Sequence, residues 1–171
     1  MQNQPKAEVW LRGPLPEIPA LLQPAAHALL QALEELQAIT LPPHLLWEKP
    51  SGVASVGFHL QHLAGVLDRL FTYAREEQLS EEQLLYLRSE ETSPIENCTY
   101  EYLLGLFEKQ INSAIEQIKN TDASSLTDVR LVGRAKIPST HLGLLFHAAE
   151  HTQRHVGQLL VTARILNSQL E

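Results

Sequence analysis

A chain of 171 residues suffices for one domain with its own core, and with 44% apolar and 19% charged side chains it reads as soluble. No apolar run approaches the roughly 20 residues of a membrane-spanning helix, which excludes a helical membrane anchor. Thirteen basic against twenty acidic residues leave a net charge of −7, with the basic ones scattered along the chain, so nucleic-acid binding is disfavoured.

Met1 to Ala7 is polar, and Val9 to Leu11 is too short for the apolar core of a secretory signal. Cys98 is the only cysteine, so no internal disulfide can form, and the cytoplasm is the expected compartment. Trp10, Arg12, Gly13, Pro14 and Pro16 suit an extended N-terminal arm over residues 1–18, with the main domain at 19–171.

From Pro19 to Ala38, Leu22, Ala25, Ala26, Leu29, Leu30, Leu33 and Leu36 recur at intervals of three and four and predict a helix, which Pro42 and Pro43 stop. A second helix is expected after Pro50, Ser51 and Gly52, carrying Val56, His59, Leu60, Leu63, Val66, Leu67 and Leu70 to about Arg75. Charged residues dominate from Glu76 to Ser93, with a short helical piece at Glu81 to Leu87. A third long helix is predicted over Thr99 to Lys119, with Thr99 as its cap. Asn120 to Lys136, with a β-like patch at Val129 to Val132, reads as a long crossover, and a last helix runs from Pro138 or Ser139 to Leu166. The fold class expected is all-α, a four-helix bundle with a long crossover before the last helix.

Four of the eight histidines fall between His141 and His155. His147, His151 and His155 stand at four-residue intervals and project from nearly the same side of a helix. The first and third lie roughly 12 Å apart, while Zn–N bonds are about 2.1 Å, so one ion can take only an adjacent pair. Spacing does not choose between the two pairs. A third ligand must come from a facing helix, where His62 and His59 compete; His62 sits among Leu63, Val66 and Leu70, and Gly57 and Gly65 would leave room near it.

At these residues the chain resembles the DinB/YfiT-like superfamily. The run His147 to Gln158, with Gly157 and Gln158 behind His155, matches that family's terminal-helix pattern; Trp47, Pro50, Ser55 and then His62 and Leu63 keep the order of its second-helix motif. The likeness spans roughly Ala20 to Leu166. It implies a metal-binding triad of His62, His151 and His155, a Zn or Ni ion with open coordination positions, and frequent dimerisation, so a homodimer is expected. His59, His147 and the arm lie outside its general pattern.

Three protein ligands leave a position for water or substrate, and without further cysteines a closed thiolate site is impossible. The expected function is a metal-dependent enzyme acting on a small molecule, by hydrolysis or by transfer of a low-molecular-weight thiol; the resemblance supports both chemistries. The alternative is a non-catalytic bundle that binds or senses a metal or ligand, in a stress-related role for instance, or whose metal merely stabilises the fold. His59 and His147 are the candidates for proton transfer, and Gln158 and Glu150 for support of the ligand imidazoles, with Glu150 also able to pair with Arg154 at i+4. Arg69 is expected in a salt bridge to a neighbouring helix more than on an anionic substrate, and Cys98 is expected to be passive.

Overall fold

The computed structural model describes residues 6–168. Its helices begin where short polar side chains can take up the free N–H groups of a first turn. Ser55 caps α2, Val56–Ala74, by accepting from the N–H of Phe58 at 3.2 Å. Ser80 and Gln83 form a reciprocal capping box at the start of α3, Glu81–Ser89. Thr99 caps α4, Tyr100–Lys119, and Thr140 caps α5, His141–Asn167. Only α1, Gln23–Gln37, lacks such a cap; a single 3-10 turn at Ala20–Leu22 leads into it and Pro24 occupies its first turn.

The described residues are mostly helical, with five α-helices and one two-stranded sheet. That sheet corrects the all-helical expectation. β1, Val129–Val132, pairs antiparallel with β2, Ile137–Thr140, joined through Gly133 at a φ of +67°. Pro138 and Ser139, expected to open the last helix, lie in β2 instead, where their extended backbone runs straight into the Thr140 cap. Arg130 pins the hairpin to the end of α2 by donating from Nε to the carbonyl of Ala74 at 3.0 Å.

Packing follows the apolar stripes. α2 lies against both α4 and α5, and α1 against the other sides of the same two helices. Leu29 and Leu36 of α1, Leu60, Leu63 and Leu67 of α2, and Phe107, Ile111 and Ile118 of α4 are sealed from solvent at the centre. The buried hydroxyl of Tyr100 donates to the carbonyl of Leu36 at 2.8 Å.

α2 is buried on nearly every side, so polar residues at His59, Gln61 and Arg69 are carried inward with the leucines. Each then needs a partner. Gln61 Nε2 donates to the carbonyls of Glu90 at 2.9 Å and Thr92 at 2.7 Å, and Gln83 Nε2 on α3 donates to Asp68 Oδ2 at 2.9 Å. These bonds fasten α3 and its exit against α2 and deliver Glu90 to the interior.

The arm, whose residues 1–5 lie outside the described residues, follows α1 and includes a 3-10 turn at Val9–Arg12. Arg12 and Lys6 both reach Glu34, at 2.6 and 2.7 Å, and the N–H of Val9 donates to Gln31 Oε1 at 2.9 Å. Among the described residues no helix is long and apolar enough to cross a membrane.

Candidate metal centre

His62 on α2 faces His151 and His155 on α5, and one ligand nitrogen of each lies within 4.8 Å of the others. The Nε2 atoms of His62 and His151 are 2.9 Å apart, and the rings of His62 and His155 have centroids 4.4 Å apart. All three rings are half-buried.

The surroundings fix the tautomer of His62. Its Nδ1 lies 2.7 Å from Glu90 Oε2, and a carboxylate only accepts, so Nδ1 carries a proton, and the neutral ring in that tautomer turns its Nε2 lone pair to the other two histidines. Glu90 is 4% exposed and also accepts from Arg69 Nη1 at 2.7 Å through its other oxygen. A carboxylate behind a ligand imidazole is a common support at metal centres. Gly65 makes the arrangement possible: a Cβ there would stand 2.5 Å from Glu90 Oε1 and 2.7 Å from Arg69 Nη1. Gly57 serves a different contact, since a Cβ at that position would meet the Trp47 ring at 2.9 Å.

His155 is supported by His59, with their Nδ1 atoms 3.0 Å apart. Phe58 closes this side, stacked on His62 at 5.4 Å between centroids and meeting His59 edge-on at 5.5 Å. The buried Nδ1 of His151, by contrast, has no hydrogen-bond partner among the described residues, which leaves it the least supported of the three rings.

Burial, reinforced by the neighbouring His62, lowers the pKa of His59 and of His151 to about 4, and that of His155 to about 3, with His151 and His59 adding to the effect. His151 and His155 are therefore neutral at pH 7, the protonation state a metal ligand needs, and His59 beside them is neutral as well. Two nitrogens bound to one zinc ion at about 2.1 Å would stand about 3.4 Å apart, and the limit of 4.8 Å on the three donors, with 2.9 Å between those of His62 and His151, brackets that separation. With imidazole nitrogens and no thiolate in reach, the donor set fits a divalent transition metal.

The other expected site residues divide. His59 is buried and borders a cavity of about 520 Å³, together with Gln158. His147 has a side chain 47% exposed and turns to Glu150, Nδ1 to Oε1 at 2.7 Å. Glu150 also accepts from Arg154 Nη2 at 3.3 Å, the pairing expected at i+4, and supports no ring of the triad. With His147 and His151 it forms a second possible ligand group, but the His147 and Glu150 members are exposed. Among the described residues Gln158 makes no hydrogen bond to an imidazole; it lines the cavity beside His59. Arg69 forms the expected ion pair, with Glu90 as its partner. Cys98 is buried and its pKa is raised by that burial, in keeping with a passive thiol.

Glu90 and Phe58 escaped the sequence reading. Glu90 lies in a charged stretch with no periodic pattern, and its only signal was the buried cation at Arg69 in search of a carboxylate. Phe58 carried no signal beyond its place beside His59.

A crystal structure of a DinB-like protein from Bacillus cereus superposes with a TM-score of 0.61 at 16% sequence identity, covering 86% of this chain and 91% of that one. No curated protein matches the sequence. The family model of the DinB superfamily matches residues 21–159, a span that takes in α1 to α4, the larger part of α5 and all three converging histidines, and the chain belongs to that superfamily.

Proposed function

We propose that the chain is a metal-dependent enzyme acting on a small molecule, by hydrolysis or by transfer of a low-molecular-weight thiol, with zinc or nickel held by His62, His151 and His155. The observation that carries the reading is the convergence of three imidazoles from α2 and α5 within 4.8 Å, with a buried carboxylate behind one of them. The reading takes α1, α2, α4 and α5 as a four-helix bundle closed by the α4–α5 crossover, and the working unit as a homodimer.

Bound there, a divalent ion supplies Lewis acidity for activating a water molecule or a thiol at neutral pH. The chain's own residues prepare the site. Glu90 accepts the His62 Nδ1 proton and so keeps the Nε2 lone pair turned inward; Arg69 neutralises Glu90 and fixes its position. Phe58 excludes water from one face of the His62 ring. Of the two further histidines, His59 is buried beside a cavity and can exchange a proton with a ligand there, whereas His147 is held at the surface by Glu150.

Metal analysis of protein purified without chelator tests the site. One ion per chain is expected in the wild type and in His147→Ala, and none in His62→Ala or His155→Ala; an equal content in all four would end the proposal. A panel of thiol-transfer, ester, amide and lactone substrates, assayed with and without chelator, tests the chemistry. An intact metal site with no turnover would mark the chain as a metal- or ligand-binding module.

A further inference from the structure

The cavity beside His59 is larger than a solvent crevice. At about 520 Å³ it falls within the range of small-molecule sites, and its walls are mostly apolar, with Val53 and Ala54 ahead of α2 and Val161 and Ile165 on α5. Its one cationic wall residue is Arg154, a neighbour of His155 in sequence. Apolar walls with one cation form an amphiphilic lining. The cavity of about 450 Å³ bordered by Trp10, His27 and Gln31 has no Lys or Arg in its wall.

Resting on the metal site proposed above, the chemistry of His155 decides what His59 offers the cavity. A His155 that gives its Nε2 lone pair to an ion carries its proton on Nδ1 and donates it to His59 Nδ1, 3.0 Å away. His59 must then hold its own proton on Nε2. That nitrogen has no partner among the described residues, while the ring borders the cavity. His59 thus offers the cavity an N–H donor, and Arg154 lines the same cavity; among the described residues its guanidinium's hydrogen bonds run from Nη2 to Glu150 at 3.3 Å, long for a charged pair.

We propose that this cavity binds a small amphiphilic carboxylate, its anionic end received by Arg154 and the Nε2–H of His59 and its apolar body lying on Val53, Ala54, Val161 and Ile165. One guanidinium with Glu150 close by suits a singly charged planar group better than a phosphate dianion, which would need further cations. The carboxylate end lies toward His155, so the body of the ligand is placed along α5 away from the centre.

Calorimetric titration with octanoate, and with octanol as its uncharged counterpart, tests the assignment on zinc-loaded and metal-free protein, with zinc content measured on the same samples. Octanoate binds the zinc-loaded wild type roughly tenfold tighter than octanol, and Arg154→Gln removes that advantage. Val161→Glu abolishes binding of both, whereas Arg164→Gln, an exposed charge of α5 outside the cavity, changes affinity by less than about twofold. Equal affinity for the two probes, an Arg154→Gln variant indistinguishable from wild type, or no octanoate binding to zinc-loaded protein overturns the proposal. Sedimentation in which Val161→Glu turns a dimer into a monomer also overturns it, because the cavity is then an interface between two copies. If zinc fails to bind but octanoate binding depends on Arg154, the carboxylate site stands and the metal reading falls; zinc binding without discrimination between the probes gives the reverse.

Discussion

Two carboxylates in this molecule are each gripped by two basic side chains, and almost everything else about them differs. Glu90 joins Arg69 and His62 inside the protein, with 4% of its side chain exposed; Glu34 joins Arg12 and Lys6 under the N-terminal arm, with 27% exposed and Lys6 at 69%. The bond lengths are nearly the same, 2.6 to 2.7 Å throughout. Geometry therefore does not rank them, and solvent does. Around Glu34 water and salt screen the attraction and hydrate either partner when the pair opens. Glu90 is nearly closed to solvent, which can do little to replace a lost partner, so each group depends on the other two, and one of them is an imidazole of the candidate metal centre.

Removing Glu90 should therefore be the most damaging change outside the three histidines. Glu90→Ala leaves the Arg69 guanidinium buried without a counter-charge and is expected to cost about 3–5 kcal/mol in urea unfolding. It also frees His62 to rotate and change tautomer, so affinity for zinc in a calorimetric titration should fall by about 10–100-fold. Glu90→Gln separates the two roles: its amide oxygen still accepts one hydrogen bond, but the charge that Arg69 requires is gone, so stability should fall more than ring orientation suffers. A Glu90→Ala protein as stable as wild type and binding zinc equally well would show that the buried cluster carries no more weight than the surface one.

Glu90 is also where the sequence was hardest to read. Four long helices were legible because their apolar residues repeat at three and four, and the pair His151 and His155 was legible because a helix converts a four-residue interval into adjacency. The same interval misleads at His147. Each step of four advances the ring by about 40° around the axis, so two steps carry His147 out of the line of His155 and into solvent, where Glu150 takes it. Choosing His62 over His59 came from the family resemblance, and the structure shows why spacing alone was silent: both rings reach α5, one at His151 and the other at His155. Glu90 had no local pattern at all. It is brought to His62 by Gln61 binding the carbonyls around it, a tertiary contact between residues 29 apart in the chain. The β-hairpin was half legible, since Val129 to Val132 looked like a strand while Pro138 and Ser139 looked like a helix start.

Gly65 sharpens the contrast at lower cost. A methyl group there falls against Glu90 Oε1, Arg69 Nη1 and the Tyr86 ring, all within 2.8 Å, and the first two are bonded to each other in the interior. Gly65→Ala should destabilise by about 1–3 kcal/mol and weaken zinc binding by less than Glu90→Ala does. Gly105 on α4 has nothing within 4 Å of its absent Cβ, and there the same replacement should raise stability by about 0.5–1 kcal/mol through helix propensity alone. Opposite signs in the two variants are the expected result, and a stabilising Gly65→Ala would mean that the Glu90 cluster yields easily.

The smallest effect belongs to Glu34. Glu34→Gln should leave the urea midpoint nearly unmoved and change only the arm, read by quenching of Trp10, which is 60% exposed and sits in the same turn as Arg12. The pH dependence has a definite sign. The hydrogen bond from Arg12 first, opposed by partial burial and aided by Lys6, holds the Glu34 carboxyl at about 2 against its ordinary 4.5. A carboxyl with a lower pKa when the arm is docked binds fewer protons in that state, so its contribution is complete above 4.5 and is lost as pH falls toward 2. The difference in quenching between wild type and Glu34→Gln should accordingly be constant at neutral pH, shrink through that window and diminish with added salt. A difference that persisted at the acid end, or resisted salt, would place Glu34 with the buried carboxylates and remove solvent as the reason the two clusters diverge.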